Sequence, residues 1–177
     1  YDLARSSGHT IARVFPALVP LVTEEEWGKE LQGLSLRNVR ASVYCAGRKE
    51  QEAFGEMLFA HYGVTGPIIL QLSRRVSEGY ERLELRLNLK PALSPEVLRD
   101  RVDRDFAKYQ RKQLCNAMID LLPKRLIVPV LNAAGLSLES SAGQTSAKAR
   151  KHLVHVLQAL PMTIIGTRPL AEAIVTA

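Results

Sequence analysis

Cysteine, aromatic residues and long apolar runs are all scarce in this chain of 177 residues. Its two cysteines, Cys45 and Cys115, lie outside any CxxC pattern. This excludes a disulfide framework and favours a reducing compartment, so we expect a cytoplasmic location. No apolar run approaches the roughly 20 residues that span a bilayer, and the first residues lack the apolar core of a secretory signal. A membrane partner is therefore not expected.

The motifs of several enzyme classes are also missing. There is no GxGxxG after a strand and no GxxxxGK[ST] loop, so the sequence offers no recognisable cradle for a dinucleotide pyrophosphate. There is no HExxH motif, and His152 and His155 lie among basic residues without a nearby carboxylate, so no metal site is expected. No arrangement of Ser, His and an acid indicates a nucleophile, and the catalytic residues stay unknown.

The charge of the chain is basic, with a formal net charge of +6. A basic chain can bind nucleic acid, but here 24 Lys and Arg residues are interleaved with 18 acidic ones. Aromatic residues make up only 6%, which leaves few platforms for base stacking. We interpret the charge as a solvated surface and expect no nucleic-acid partner. A basic nucleic-acid-binding module and a structural or oligomerisation module stay open as alternatives.

The first half of the sequence predicts mainly β structure. Residues 36–44 and 82–89 alternate apolar and polar side chains, which is typical of half-buried antiparallel strands. Residues 57–62 are a further strand candidate. Ahead of these segments, Thr23 and Glu26 have the spacing of a capping box, which predicts a short helix with Thr23 as its N-cap.

Helical spacing takes over in the second half. Ser94 and Ser146 are the predicted N-caps of the first and last of four helices. Pro123 opens the third helix, and Pro129 inside it is expected to kink or split it. Pro161 is expected to end the fourth. The predicted fold class is α+β, with a small antiparallel β-sheet or barrel followed by a four-helix part.

One segment suggests chemistry. Residues 58–67 read LFAHYGVTGP, and run from a strand through a turn with Gly63 and Gly66 into a helix beginning at Pro67. Backbone amides at such a turn suit an anion, and His61 lies beside it. The alternative is a tight connector whose glycines take positive φ, with a structural His61. The spacing alone favours the connector.

The same segment resembles the LFTHxGxSGP signature of bacterial FAD-dependent oxidoreductases of the BaiN and aminoacetone-oxidase type. Further blocks are similar and stand in the family's order: a helix ending in GH at residues 1–9, PALVPL at 16–21, LxGLSL at 31–36, LLPKRL at 121–126 and GTRPLxxAIVTA at 166–177. Two positions depart from the signature. Ala60 lacks the hydroxyl of the family's Thr, whereas Thr65 keeps a hydroxyl in place of its Ser.

The resemblance implies that this region is an insertion in a two-dinucleotide-binding-type flavin fold. The complete protein is then an FAD-dependent oxidoreductase acting on a small molecule, with NAD(P)H as one candidate electron source. The implied division is the end of a flanking flavin-domain helix at residues 1–11, a β-rich subdomain at 12–92, a helical subdomain at 93–160 and a return segment at 161–177.

The resemblance also implies positions for individual residues. Those expected to face the isoalloxazine or the substrate are His61, Gly63, Thr65, Gly66 and Arg168. FAD itself is expected outside this chain, which then acts as a cap on the substrate side of the flavin. The flavin-binding domain of the same protein is the expected partner.

Overall fold

The computed structural model describes residues 1–77 and 83–176, and its β structure is a closed barrel of six antiparallel strands. The strands of the chain are β1 (Pro16–Ala17), β2 (Leu21–Thr23), β3 (Ser35–Cys45), β4 (Arg48–Ala60), β5 (Gly63–Thr65), β6 (Leu83–Asn88), β7 (Leu160–Thr167) and β8 (Val175–Thr176). The barrel order is β2-β5-β4-β3-β6-β7, and β1 pairs with β8 in a separate sheet.

Helices flank the barrel and fill the chain between β6 and β7. The α-helices are α1 (Asp2–Ser6), α2 (Glu26–Glu30), α3 (Pro67–Ser77), α4 (Pro95–Lys108), α5 (Leu114–Ala117), α6 (Lys124–Ala133) and α7 (Ala147–Gln158). Two short 3-10 helices cover Ala142–Gln144 and Leu170–Glu172. The predicted class, a β-barrel with a four-helix part, is confirmed. In the described part of the chain, no helix is both long and apolar enough to cross a membrane.

The barrel strands follow the alternation of the sequence. In β6, Leu83, Leu85 and Leu87 are buried, and they pack with the buried side chains of β3 in one core. Arg82, which the pattern included in this strand, lies outside the described residues. The β3–β4 hairpin turns through Ala46 and Gly47, whose φ values are 47° and 80°. Positive φ at both positions suits a two-residue hairpin turn between twisted strands.

The helical part begins and ends at the predicted caps. The Ser94 hydroxyl accepts a hydrogen bond from the Val97 amide at 3.3 Å, and that of Ser146 accepts one from the Ala149 amide at 3.2 Å. These bonds satisfy amides that the first turn of a helix leaves without backbone partners, so both N-cap predictions are confirmed. Helix α6 runs through the buried Pro129 to Ala133 and is not split there.

The predicted capping box at Thr23 is wrong. Helix α2 has Glu25 as its N-cap residue, and Thr23 is the fully buried last residue of β2. Its amide donates to the Tyr62 carbonyl at 3.2 Å, and Glu25 Oε1 accepts from the Thr163 amide at 2.7 Å. Pairing across the barrel therefore overrides the local cap.

Strand β7 closes the barrel after the helices. It pairs with β6, where Leu83 lies opposite Ile164, and with β2, where Leu21 lies opposite Thr167. Residues 160–167 thus belong to the barrel, although 161–177 are expected as a return segment. Helix α7 ends at Gln158, before Pro161, and Pro161 lies within β7. Helices α4 to α7 are consequently inserted between two neighbouring barrel strands, β6 and β7.

Candidate functional site

The site predicted from the sequence centres on the hairpin between β4 and β5. His61 and Tyr62 form its turn, after which β5 pairs with both β4 and β2. Helix α3 then begins at Pro67, as predicted, and Leu70 donates its amide to the Gly66 carbonyl at 2.9 Å. The turn is therefore held by strands on two sides and by a helix behind it.

The two glycines of this segment are required by close packing. A Cβ on Gly63, whose φ is 145°, would lie 2.5 Å from the Leu21 carbonyl oxygen and 2.7 Å from the Thr23 amide nitrogen. A Cβ on Gly66, whose φ is 99°, would lie 2.9 Å from the Met57 Cα. The backbone at both positions is thus pressed against neighbouring strands, which supports the connector role for the glycines.

Four side chains from two distant segments meet beside this turn, and we call them the hairpin cluster: His61, Tyr62, Arg168 and Glu172. The Arg168 guanidinium lies over the Tyr62 ring, 4.8 Å from its centroid. The His61 ring stands edge-on to Tyr62, with centroids 4.8 Å apart. Arg168 also donates to the two carboxylate oxygens of Glu172 at 3.0 and 2.6 Å. His61 is exposed, and the other three are partly exposed or exposed at the protein surface.

Electrostatic interactions within the hairpin cluster favour the charged forms of both Arg168 and Glu172. The hydrogen bonds from Arg168 lower the pKa of Glu172 below its ordinary value, with a smaller electrostatic contribution from His61. In return the Glu172 carboxylate raises the pKa of Arg168. Both groups are therefore charged at neutral pH, and they form a fixed ion pair beside the Tyr62 ring.

The five predicted site residues fall into two groups. His61 and Arg168 come together in the hairpin cluster through Tyr62. Gly63 and Gly66 shape the backbone behind them, and Thr65 pairs with Leu58 in the hairpin. Thr65 is partly exposed, and within the described residues its hydroxyl makes no hydrogen bond. The functional roles of all five stay predictions.

The sequence prediction missed Tyr62 and Glu172. Glu172 lies four residues after Arg168, a spacing that favours an ion pair and could have indicated it. Tyr62 is adjacent to His61, but its partnership with Arg168 depends on the barrel. The backbone amide of Arg168 donates to the Pro20 carbonyl at 2.9 Å, which holds this segment beside β2.

The hairpin does not fit the pyrophosphate of FAD. The glycine-rich cradle of that cofactor needs open space in front of the glycine backbone, at a turn from a parallel strand into a helix. Here backbone atoms of Leu21, Thr23 and Met57 occupy the space that a Cβ on Gly63 or Gly66 would need. The exposed side chains of the cluster, His61 and Glu172, remain open to a neighbouring molecule. Among the described residues, no group of three His, Cys, Asp or Glu side chains could hold a metal ion.

Exposed apolar side chains lie on the two chain segments that flank the barrel in the sequence, one before β2 and one after β7. We call these side chains the junction surface: Tyr1, Leu3, Leu170, Ile174 and Val175. Leu3 is 83% exposed and Ile174 is 67% exposed. Helix α1 buries none of its residues, and β8 pairs only with β1 among the described residues. Leu170 stands between Arg168 and Glu172 in the chain, so the junction surface adjoins the hairpin cluster.

Residues 15–175 match the family of the HI0933-like protein barrel and H2TH domain. The chain belongs to this family. The match confirms the family predicted from the sequence, the insert of BaiN-like flavoproteins. The barrel and the helices α4 to α7 both lie within the matched range of this HI0933-like domain.

A curated relative of this HI0933-like domain is a bacterial reductase. The chain is 25% identical over 180 residues to the 3-dehydro-bile acid delta(4,6)-reductase of Clostridium scindens. The alignment covers all of this chain and 44% of that protein, so the chain spans less than half the length of the relative.

Proposed function

We propose that this chain is the substrate-side cap of an FAD-dependent oxidoreductase acting on a small molecule, and that the hairpin cluster forms its edge of the active site. The observation that carries the proposal is the meeting of His61 with Arg168 through Tyr62. These residues come from two of the segments that resemble flavoprotein blocks. The family match and the reductase relative support the redox class.

The chemistry of the hairpin cluster suits binding and orientation. The exposed His61 ring can donate or accept a hydrogen bond, and the Arg168–Glu172 pair provides a fixed dipole beside the Tyr62 ring. Such groups bind a carbonyl or another polar group of a substrate while the Tyr62 ring contacts its apolar part. FAD, held by the remainder of the protein, would supply the redox chemistry, and NAD(P)H is one candidate electron source.

Exposure of the junction surface supports a contact with a partner domain. Contiguous exposed apolar side chains on a folded domain commonly mark an interface. We therefore propose that the flavin-binding part of the same protein covers Leu3, Ile174 and their neighbours. This arrangement would bring the adjacent hairpin cluster to the edge of the flavin site.

The test uses the complete protein with its flavin, and compares His61→Ala and Arg168→Gln with Arg104→Gln on the distant helix α4. Flavin content is measured from the visible absorption, and the environment of the flavin from the band position and the reduction potential. We expect full flavin content in all variants and an altered band or potential only in the two cluster variants. A flavin environment unchanged in both, even with lowered thermal stability, would show that the cluster is only structural.

A further inference from the structure

A second candidate site lies between α4 and α7, and none of the hairpin-cluster residues lines it. It is a groove of about 620 Å³. Its polar lining is mostly basic, from Arg99 on α4 and from Lys148, Lys151, His152 and His155 on α7. The groove lies wholly in the helical part, so binding there is independent of the proposed flavin function.

The two lysines of this groove have no carboxylate partner among the described residues, and Arg99 interacts with Glu96, whose pKa it helps to lower, from beyond ion-pair distance. Within residues 1–77 and 83–176, Arg99, Lys148 and Lys151 form no salt bridge. Neighbouring cations of the same helices do, as Arg101 does with Asp105 at 2.7 Å and Arg150 with Asp103 at 2.6 Å. Like charges gathered around one cavity repel each other, and a bound anion would relieve that repulsion.

Glu96 is the one acid that lines the groove, and it is engaged with the start of its own helix. Its backbone amide and the Ser94 hydroxyl lower the pKa of its carboxyl below the ordinary value. The first turn of α4 is therefore already capped by its own side chains. Recognition of an anion in the groove falls to the side chains of Arg99, Lys148 and Lys151.

The remaining lining suits a flat apolar group. The His152 and His155 rings are nearly parallel, with an interplanar angle of 22°. Pro95 and the buried Val154 supply apolar contacts. The volume lies within the range of about 300–1,000 Å³ that is typical of small-molecule sites, and a bare phosphate would leave most of it empty.

We propose that this groove binds a phosphate-bearing small molecule with a flat ring, such as a nucleoside phosphate. Arg99, Lys148 and Lys151 contact the phosphate oxygens, because Lys and Arg are the usual side-chain ligands of phosphate. The imidazole rings and Val154 contact the ring. An extended nucleic acid fits less well, since the three cations all line one groove of about 620 Å³.

The first test is calorimetric titration of the complete protein with ADP. The variant Lys148→Gln/Lys151→Gln removes two groove cations. The control Lys112→Gln/Lys124→Gln removes two exposed cations of the same helical part that do not line the groove, with the same change of net charge. We expect the ADP dissociation constant to rise at least about tenfold in the groove variant and less than about twofold in the control.

A second measurement locates the bound ligand. Amine labelling of the complete protein, read by mass spectrometry, should show that ADP protects Lys148 and Lys151 but leaves Lys112 and Lys124 reactive. Equal losses of affinity in both double variants, or no protection of Lys148 and Lys151, would overturn the site. Pyrophosphate binding as tight as ADP would overturn the role of the ring. Tighter binding of a single-stranded oligonucleotide that ADP does not displace would assign the groove to nucleic acid instead.

Discussion

The Arg168 guanidinium lies 4.8 Å from the centroid of the Tyr62 ring, and this contact joins the β4–β5 turn to the segment that follows β7. The Arg168 amide also donates to the Pro20 carbonyl at 2.9 Å, which brings in the segment before β2. Three separate parts of the chain therefore meet at one edge of the barrel. The candidate site depends on barrel closure, because β7 must pair with β2 to place Arg168 there.

Gly63→Ala is predicted to destabilise the barrel strongly. The new Cβ would lie 2.5 Å from the Leu21 carbonyl oxygen, at a φ of 145° that side chains rarely adopt. The combined overlap and strain should lower the free energy of unfolding by about 3 kcal/mol. Urea denaturation followed by circular dichroism measures the loss.

Gly47→Ala is the matched control for this substitution. Gly47 also has a positive φ, of 80°, but no atom lies within 4 Å of the position that a Cβ would take there. Its replacement should cost only about 1 kcal/mol from backbone strain. Equal losses at Gly47 and Gly63 would show that the close approach to Leu21 contributes nothing.

Thr23→Val is predicted to leave the protein equally stable or to stabilise it by about 1 kcal/mol. The buried Thr23 hydroxyl has no hydrogen-bond partner among the described residues, so a methyl of similar size removes a desolvation cost. Ser94→Ala, at a true N-cap, should instead lose about 1 kcal/mol. Thermal unfolding of both variants distinguishes the two roles, and a loss in Thr23→Val as large as in Ser94→Ala would restore Thr23 as a cap.

Arg125→Gln is predicted to weaken the contact between α6 and the end of α2. The Arg125 guanidinium donates to the Glu30 carbonyl at 2.7 Å and to the Gln32 carbonyl at 3.2 Å, at the end of α2. Because Arg125 is exposed, the expected loss is only about 1 kcal/mol. Lys124→Gln is the neighbouring control and should change stability by less than about 0.5 kcal/mol in the same urea titration. Equal losses of stability in Arg125→Gln and Lys124→Gln would contradict the role of Arg125 in holding α6 to the end of α2.

Glu172→Gln is predicted to change how stability depends on pH. Because Arg168 lowers the pKa of Glu172, their pairing stabilises the folded state above the ordinary value of 4.5 and is lost as the pH falls through the lower pKa of the folded protein. Wild type should therefore be the more stable protein at neutral pH, and the difference should vanish in acid.

Urea unfolding at a series of pH values measures this difference, with Glu139→Gln as the control. Glu139 is exposed and has no hydrogen bond or ion pair among the described residues. Its variant should follow wild type at every pH. A gap between wild type and Glu172→Gln that stays constant into acid would contradict the pairing with Arg168.

Local chemistry in the sequence predicted the elements that depend on neighbouring residues. The strict alternation in β6 indicated which leucines are buried, because a strand side chain points to one face at every second residue. Ser94 and Ser146 indicated helix starts through a bond spanning only three residues. Pro67 after Gly66 likewise indicated the start of α3.

Features that depend on distant partners could not be predicted this way. Thr23 has the local pattern of a cap, but β2 is paired on both sides and buries it. Strand β7 follows a helix and contains a proline, and its partner β6 is separated from it by the whole helical part. The contact of Arg168 with Tyr62 follows only from that pairing. The resemblance to a family indicated Arg168 as a candidate, and the structure shows its neighbours, Tyr62 and Glu172.

The central claim is that this chain caps a flavin-binding site, and that the residues that bind the flavin lie in the complete protein outside this chain. The most direct measurement compares the visible absorption spectra of the purified chain and of the complete protein that contains it. The proposal predicts a yellow complete protein with a flavin spectrum and a colourless isolated chain. A chain that retains flavin would place at least part of the cofactor site within these residues, and two colourless samples would contradict the flavoprotein assignment itself.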